Sequence, residues 1–378
     1  METPQSQQTL KSQPPVLENG VLKFTDFRSF RFYGRSKVLA QPVSSVGART
    51  NEPFISMKTA FDSITKADAV IAEQLAQQYP NGPASVFDNP HTPLVTTFPN
   101  SIYIAGNAAE GFYYESNSFD KAVTPAINKD GFVIVDTWLL QYSKDSLKMW
   151  LVGNNGVNGR LASTVYFSAK MKDKASVESM RLKFNEHQQK NFAAKTFLDW
   201  TAIPEDYRTN DCQQTVRING KNRRIIGRIY NNRYFNPSNS TQYESTTQNQ
   251  TRSLTGRAFG TWYDNWSTEH HQFYGSTGPI QTVYPVTSYN DQPPYSFNIN
   301  SSYNFNWTWN SEARSRTVET DWIVLTPLNS TISSGFISFP MSIVTIGSKP
   351  TITGYSTHYR AYDPGFASWP NCSCAISF

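Results

Sequence analysis

Ionised side chains are scarce: only 17% of the 378 residues are Asp, Glu, Lys or Arg. That excludes the charge-rich compositions of long solvated helices and disordered tails. Cysteine is scarcer still, at three residues. Cys212, Cys372 and Cys374 are too few for a disulfide framework, and Cys-Ser-Cys is neither a redox CxxC nor half of a zinc site. Free thiols are expected. No apolar run approaches the roughly 20 residues that cross a bilayer, and the opening Met-Glu-Thr-Pro-Gln-Ser-Gln-Gln has no apolar signal core. The expectation is a soluble chain without a membrane span, made in the cytosol. The sequence also lacks GxxxxGK followed by Ser or Thr, GxGxxG, GxSxG, HExxH and CxxC. No catalytic residue, metal ligand or cofactor is expected, and the chain reads as a non-enzyme.

Aromatic residues are plentiful at 14%, with 24 Phe, 20 Tyr and 9 Trp. Rings need burial or a partner, so they imply a sizeable core, subunit contacts or a ligand surface. The most apolar stretch, 132–169, predicts three strands over 132–140, 147–152 and 161–169. Turn residues separate them, and the second connection holds Asn155-Gly156 and Asn158-Gly159. Phe132 to Val135 is apolar on both faces, which suits a covered central strand. The fold class expected is mainly β: an antiparallel β-sandwich of jelly-roll type, with one or two helices and a loop-rich insertion. The clearest helix is predicted over 56–79, where Ala60, Phe61, Ile64, Ala67, Ile71 and Leu75 recur at spacings of three and four before Pro80-Asn81-Gly82-Pro83. A weaker helix is predicted over 175–200. Short strands are expected at 94–98, 102–105 and 111–114, and further sandwich strands at 317–325 and 335–346. No fixed-period repeat is present.

The net charge is +5, and its distribution matters more than its size. Residues 1–50 hold seven basic against three acidic side chains. Within 24–37 arginines alternate with rings, which reads either as an amphipathic edge strand or as an arm whose arginines meet phosphates. Residues 215–230 predict a hairpin turning at Asn219-Gly220-Lys221-Asn222. Val216, Ile218, Ile226 and Tyr230 would face inward, leaving Arg217, Lys221, Arg223 and Arg228 on or near one exposed surface. Residues 231–256 read as a polar connection. Trp262, Trp266, Trp307 and Trp309 fall in the aromatic-rich stretch after it. Glu269-His270-His271 is the densest group of metal-capable side chains, but adjacent strand residues point apart, and solvated loop residues are expected. Asp136, inside the central run, is expected to be a hydrogen-bonded strand-end residue rather than an acid–base group. Seven N-x-Ser/Thr sequons are present, a number that a chain rich in Asn, Ser and Thr produces partly by chance.

A basic leading segment, a basic hairpin, a charge-poor β-sandwich and an aromatic, loop-rich region together resemble the coat proteins of small non-enveloped icosahedral viruses. The shell type is the nodavirus-like jelly roll, also found in some single-stranded DNA viruses. The resemblance is one of layout and carries no diagnostic motif. It implies a structural capsid protein in the virion, made in the host cytoplasm and assembling as many copies around a viral single-stranded nucleic acid. Residues 1–50 would be the arm, 51–232 with 311–350 the shell, 233–310 the projection and 351–378 the tail. Arg28, Arg31, Arg35, Arg217, Lys221, Arg223, Arg224 and Arg228 would face the nucleic acid. The leading segment lacks the dense Arg/Lys cluster usual in such coats. Asn371-Cys372 is not expected to be a maturation cleavage site, because the seven residues after Asn371 cannot form a lytic helix. The alternative is a carbohydrate-binding or adhesive β-sandwich protein, with Trp262, Trp266, Trp307 and Trp309 as a platform for a host glycan or receptor.

Overall fold

A computed structural model describes residues 14–27, 29, 30, 33, 43, 44, 53–78, 93–152, 166–191, 203, 204, 206–218, 220–235, 243–256, 261–268, 270–277, 280, 281, 283–286, 295–298, 304–310, 315–322, 329–334, 337–342, 351, 352, 355–362 and 371–376. The architecture is mainly β, built of several largely antiparallel sheets.

The first sheet has seven strands. Strands β1 (Val16–Glu18), β2 (Val21–Phe24) and β3 (Val43–Ser44) lie beside β6 (Phe132–Val135), β7 (Trp138–Tyr142), β8 (Ser146–Leu151) and β9 (Tyr166–Lys170), in the order β3-β1-β2-β6-β7-β8-β9. The β1–β3 and β2–β6 pairs are parallel and the rest antiparallel. The second strand of the predicted meander is β8 and the described part of the third is β9, residues 161–165 lying outside the described residues, and Val133, Ile134 and Val135 are buried as a covered central strand requires. The predicted strand over 132–140 is a hairpin instead. Asp136 has a φ of 55°, and Val135 pairs with Trp138 across a two-residue turn. A short polar side chain that tolerates the left-handed region allows the reversal inside an otherwise strand-like run.

Residues 24–37 correct a second expectation. Residues 27, 29, 30 and 33 are helical. Asp26 caps this turn: its Oδ1 accepts from the Ser29 amide at 2.7 Å, and its carbonyl accepts from the Phe30 amide at 3.2 Å. The rings serve the core, since Phe24, Phe27 and Phe30 are buried with Trp138, Leu140, Tyr142 and Met149. The stretch expected as an arm therefore enters the first sheet and its core from residue 16 onward.

Helix α1 (Met57–Gln78) matches its prediction within a residue at each end. Ser56 caps it, with its Oγ accepting from the Thr59 amide at 3.0 Å. Met57 reaches the main core. Phe61 and Ile64 pack on Ile102 and Tyr114 of the hairpin β4 (Ile102–Asn107)–β5 (Gly111–Ser116). The short α2 (Pro93–Thr97) stands where a strand was expected. Helix α3 (Lys174–Asn191) covers the first part of the second predicted helix and packs Val177, Met180 and Phe184 on the main core. Residues 192–200 lie outside the described residues.

Beyond residue 205 come three long strands. Strands β10 (Asp206–Ile218) and β11 (Lys221–Phe235) form the predicted hairpin, closing from Ile218 to Lys221 with Gly220 at a φ of 78°. Residues 231–256, expected as a connection, supply the end of β11 and all of β12 (Tyr243–Gly256). The far edge of β12 is shared by β13 (Trp262–Asp264) and β19 (Ser315–Trp322). A four-stranded sheet combines β14 (His270–Thr277), β18 (Asn304–Asn310), β23 (Tyr355–Tyr362) and β24 (Asn371–Ile376) in the order β18-β14-β23-β24. It packs on the previous sheet, β24 against β10 and β11 and β23 against β11 and β12. Within the stretch expected as a loop-rich insertion, residues 233–235, 243–256, 262–264, 270–277 and 304–310 are strands of these two facing sheets, and the tail supplies β24. Three small pairs complete the set: β15 (Ile280–Gln281) with β22 (Thr351–Ile352), β16 (Val283–Val286) with β17 (Tyr295–Asn298), and β20 (Asn329–Ser334) with β21 (Ile337–Ser342).

The cysteines are not all free thiols. Cys212 of β10 and Cys372 of β24 form a disulfide across the two sheets, with Cα atoms 5.6 Å apart. Cys374 lies outside that bond and is buried. A pair 160 residues apart in sequence leaves no local spacing to read.

Candidate functional site

Where β5, β11, β12 and β13 meet, four ionisable side chains are buried together, with the partly buried Lys121 beside them. Glu115 of β5 accepts from Arg228 of β11, from Arg252 Nη1 of β12 at 3.2 Å and from its neighbour's amide at 3.1 Å. Lys121 Nζ lies 3.5 Å from Glu115 Oε1 and donates to the Ser116 carbonyl at 2.7 Å. Arg252 also forks onto Asp264 of β13 (Nε–Oδ1 2.6 Å, Nη2–Oδ2 2.8 Å) and donates to the Tyr114 carbonyl at 2.6 Å. Arg228 reaches Tyr113 Oη at 2.7 Å and the exposed Asp211 at 3.2 Å.

Burial alone would push Glu115 upward, but Arg228, Lys121 and Arg252 outweigh it and hold the carboxyl well below its ordinary range. Burial lowers Lys121 to about 8, although Glu115 opposes the shift. Arg252 loses to burial and gains more from Asp264 and Glu115, so its guanidinium stays charged. Both oxygens of Glu115 and both of Asp264 face cations. Chemically this is a brace. It ties the β4–β5 hairpin to the long sheet while α1 closes it from above, with Arg252 over Phe61 at 5.5 Å from the ring centroid.

Two arginines expected to face nucleic acid are therefore inside. Arg228 belongs to the brace. Arg224 is buried with its guanidinium 4.0 Å from the Trp262 ring centroid, and it donates from Nε to Thr215 Oγ1 at 3.1 Å. Strand β11 is buried on both faces from residue 224 to 230, so no alternation exposes its arginines. Arg217 and Lys221 are exposed at the hairpin end, and Arg223 is half-buried and donates to Thr255. Arg28, Arg31 and Arg35 lie outside the described residues. Trp262 is buried and donates to the Glu110 carbonyl at 3.0 Å. Trp266 is half-buried beside Ala69, Ala72 and Tyr263. These two indoles form no exposed platform. Asp136 is a half-buried turn residue.

The sheet β18-β14-β23-β24 presents a different surface. Asn306, Thr308, Asn310, Asn371 and Ser373 are exposed on its outer face. His270, Gln272 and Tyr274 lie between them on β14. The His270 Nδ1 and Asn310 Oδ1 are 2.6 Å apart, and Gln272 Nε2 donates to Asn306 Oδ1 at 2.8 Å. Register places His358, Arg360 and Tyr362 in the same row of positions. The inner face carries the buried His271, Cys372 and Cys374. Positions 307 and 309 share that inner register, 309 directly opposite His271. Their side chains, and Glu269, lie outside the described residues. His270 and His271 are thus strand residues on opposite faces, not loop residues as expected. Among the described residues no three His, Cys, Asp or Glu side chains are grouped to hold a metal ion. No helix among them is long and apolar enough to cross a membrane.

Sequence reasoning missed Glu115 and Arg252 because they meet across 137 residues, and Lys121 and Asp264 because they join the group only through those two, their close sequence neighbours. The one local signal was an acid closing an aromatic strand, in Phe112-Tyr113-Tyr114-Glu115 and again in Trp262-Tyr263-Asp264.

No family model matches the chain, and no curated protein matches it. Among solved structures, the crystal structure of a DUF4848 family protein from Bacteroides thetaiotaomicron VPI-5482 is 9% identical, covering 96% of this chain and 100% of that one. Its TM-score of 0.25 carries no argument about fold or function.

Proposed function

We propose that the chain is a carbohydrate-binding or adhesive β-protein that works outside reducing compartments, with the outer face of β18-β14-β23-β24 as its contact surface. The observation that carries this reading is the composition of that face: paired amides, a histidine and a tyrosine set side by side on rigid strands. Neutral sugars offer hydroxyl groups that both donate and accept and C–H faces that pack on rings. Amide and imidazole side chains match the first, and Tyr274 matches the second. The amides are already oriented by their cross-strand hydrogen bonds, which lowers the ordering cost of binding. The Cys212–Cys372 disulfide supports the compartment, since such bonds persist where thiols are not kept reduced.

The test is calorimetric titration of the purified chain against neutral oligosaccharides. Saturable binding that falls at least about tenfold in Gln272→Ala with Tyr274→Ala supports the reading; a loss near 1.4 kcal/mol gives that factor. Binding unaffected by both substitutions, or none to any glycan in an array, removes it.

A second reading, self-assembly as a jelly-roll coat, is favoured by one observation. Ile104 and Phe112 stand 64% and 42% exposed on the β4–β5 hairpin, where apolar side chains would be covered by a sister copy. Arg217 and Lys221 would then be the cations left to meet a polyanion. Closed particles in negative-stain images of the concentrated chain would establish it, and a monomer on size exclusion would end it.

A further inference from the structure

All three cysteines lie where β24 packs on the β10–β11 hairpin. Cys212 of β10 stands directly opposite Gly227 of β11 in the strand register. The Cys374 Sγ lies 3.8 Å from the Gly227 carbonyl oxygen. Cys372, which holds the disulfide, is two residues from Cys374 on the same strand, and both are buried on the same face. Gly227 therefore has one cysteine across the ladder and a second against its carbonyl.

We infer that Cys212 is a shared partner and that Cys372 and Cys374 are alternative positions of a C-terminal latch. The Cys374 thiolate attacks the Cys212 Sγ, the Cys212–Cys372 bond breaks, and Cys372 leaves as a thiolate that takes up the proton Cys374 gave. One disulfide and one thiol are present before and after, so no oxidant or reductant is consumed. The exchange accompanies a two-residue slide of β24 along β23, about 7 Å at the usual rise per residue. A two-residue shift keeps every side chain on its own face. It brings Cys374 opposite Tyr359, where Cys372 stands, and puts Ile376 at the register position of Cys374. On the outer face Ser373 replaces Asn371 opposite Arg360, which alters the proposed sugar surface if that reading holds.

The experiment uses the full chain. Wild type is equilibrated at pH 8 with a glutathione redox pair and quenched with acid. The remaining thiol is alkylated under denaturing conditions, and a second reagent labels the disulfide cysteines after reduction. Fragment-ion masses then show whether 372 or 374 carried the first label. The expected result is label on Cys372 in at least about 1% of molecules, the range of a populated minor state. Cys372→Ala should form Cys212–Cys374 and leave no alkylatable thiol. Label on Cys374 alone in wild type overturns the proposal, as does a folded Cys372→Ala chain with both remaining thiols reactive. Should that variant not fold, the wild-type measurement decides. Failure here leaves Cys212–Cys372 itself, and the sugar-binding test, unaffected.

Discussion

Replacing Glu115 by Gln removes one charge, keeps the shape and leaves three cations facing a neutral amide. At an effective dielectric near 20, a pair about 4 Å apart interacts by about 4 kcal/mol. Glu115 has three such neighbours in Arg228, Arg252 and Lys121. The gross attraction is offset by the cost of holding the carboxylate dry, and removing one member of a buried ion group costs about 3–5 kcal/mol. The loss is uneven. Arg252 keeps its fork to Asp264, whereas Arg228 keeps Tyr113, Tyr230 and the exposed Asp211 among its described partners but no buried carboxylate among them. Urea unfolding of wild type, Glu115→Gln, Arg228→Met and the double variant measures this directly. Each single change should cost about 3–5 kcal/mol, and the double variant should cost less than their sum. A Glu115→Gln loss below about 1 kcal/mol, in the range of an exposed pair, would refute the reasoning.

Three further outcomes follow from single residues. Because the folded Glu115 carboxyl lies below its ordinary value of 4.5, its stabilisation is complete above that pH and is lost as pH falls through the folded value. Acid titration of stability should show a slope of up to about 1.4 kcal/mol per pH unit from this group, absent in Glu115→Gln. Cys212→Ala, which removes the disulfide and any alternative to it, opens a loop spanning 160 residues. The chain-entropy relation sets the resulting loss at about 5 kcal/mol or less, read as a lower urea midpoint. Asp136→Val forces a branched side chain into the left-handed region and should cost about 1–2 kcal/mol, whereas Asp136→Gly should change stability by less than about 1 kcal/mol.

The first half of the fold was legible because its burial is apolar. The stripe Ala60, Phe61, Ile64 and the run Phe132–Val135 announce a helix and a covered strand in composition alone. Much of the second half was not legible, because many of its buried positions are polar. In β12, Asn249, Thr251, Arg252, Ser253 and Thr255 are buried around Leu254, so no apolar alternation marks the strand and the segment reads as a linker. The basic hairpin shows the same effect from the other side. Its turn was legible at Asn219-Gly220, but the fate of Arg224 and Arg228 depends on Trp262 and Glu115, residues that no window around the hairpin contains. The outer sheet face was missed for a third reason. Amides at alternate positions look like loop composition until the cross-strand register of β14 and β18 pairs them.

Polar strands carry a specific hazard. With little apolar alternation, a shift in register costs little, so something other than hydrophobic burial must select the pairing. The brace meets that need for β11 and β12, because Arg228 and Arg252 find Glu115 and Asp264 only in the observed register. If this is its role, swapping the fork Arg252–Asp264 for Met and Leu should leave stability within about 1–4 kcal/mol of wild type, of either sign. Amide hydrogen exchange along β12 should nevertheless accelerate as alternative pairings become populated. Unchanged exchange protection in a stable double variant would show that the ions are dispensable for register. Strand β24 has no such ions among its described contacts and is pinned by sulfur instead. That is why a second cysteine two residues on, in step with the strand's own periodicity, can offer it another position.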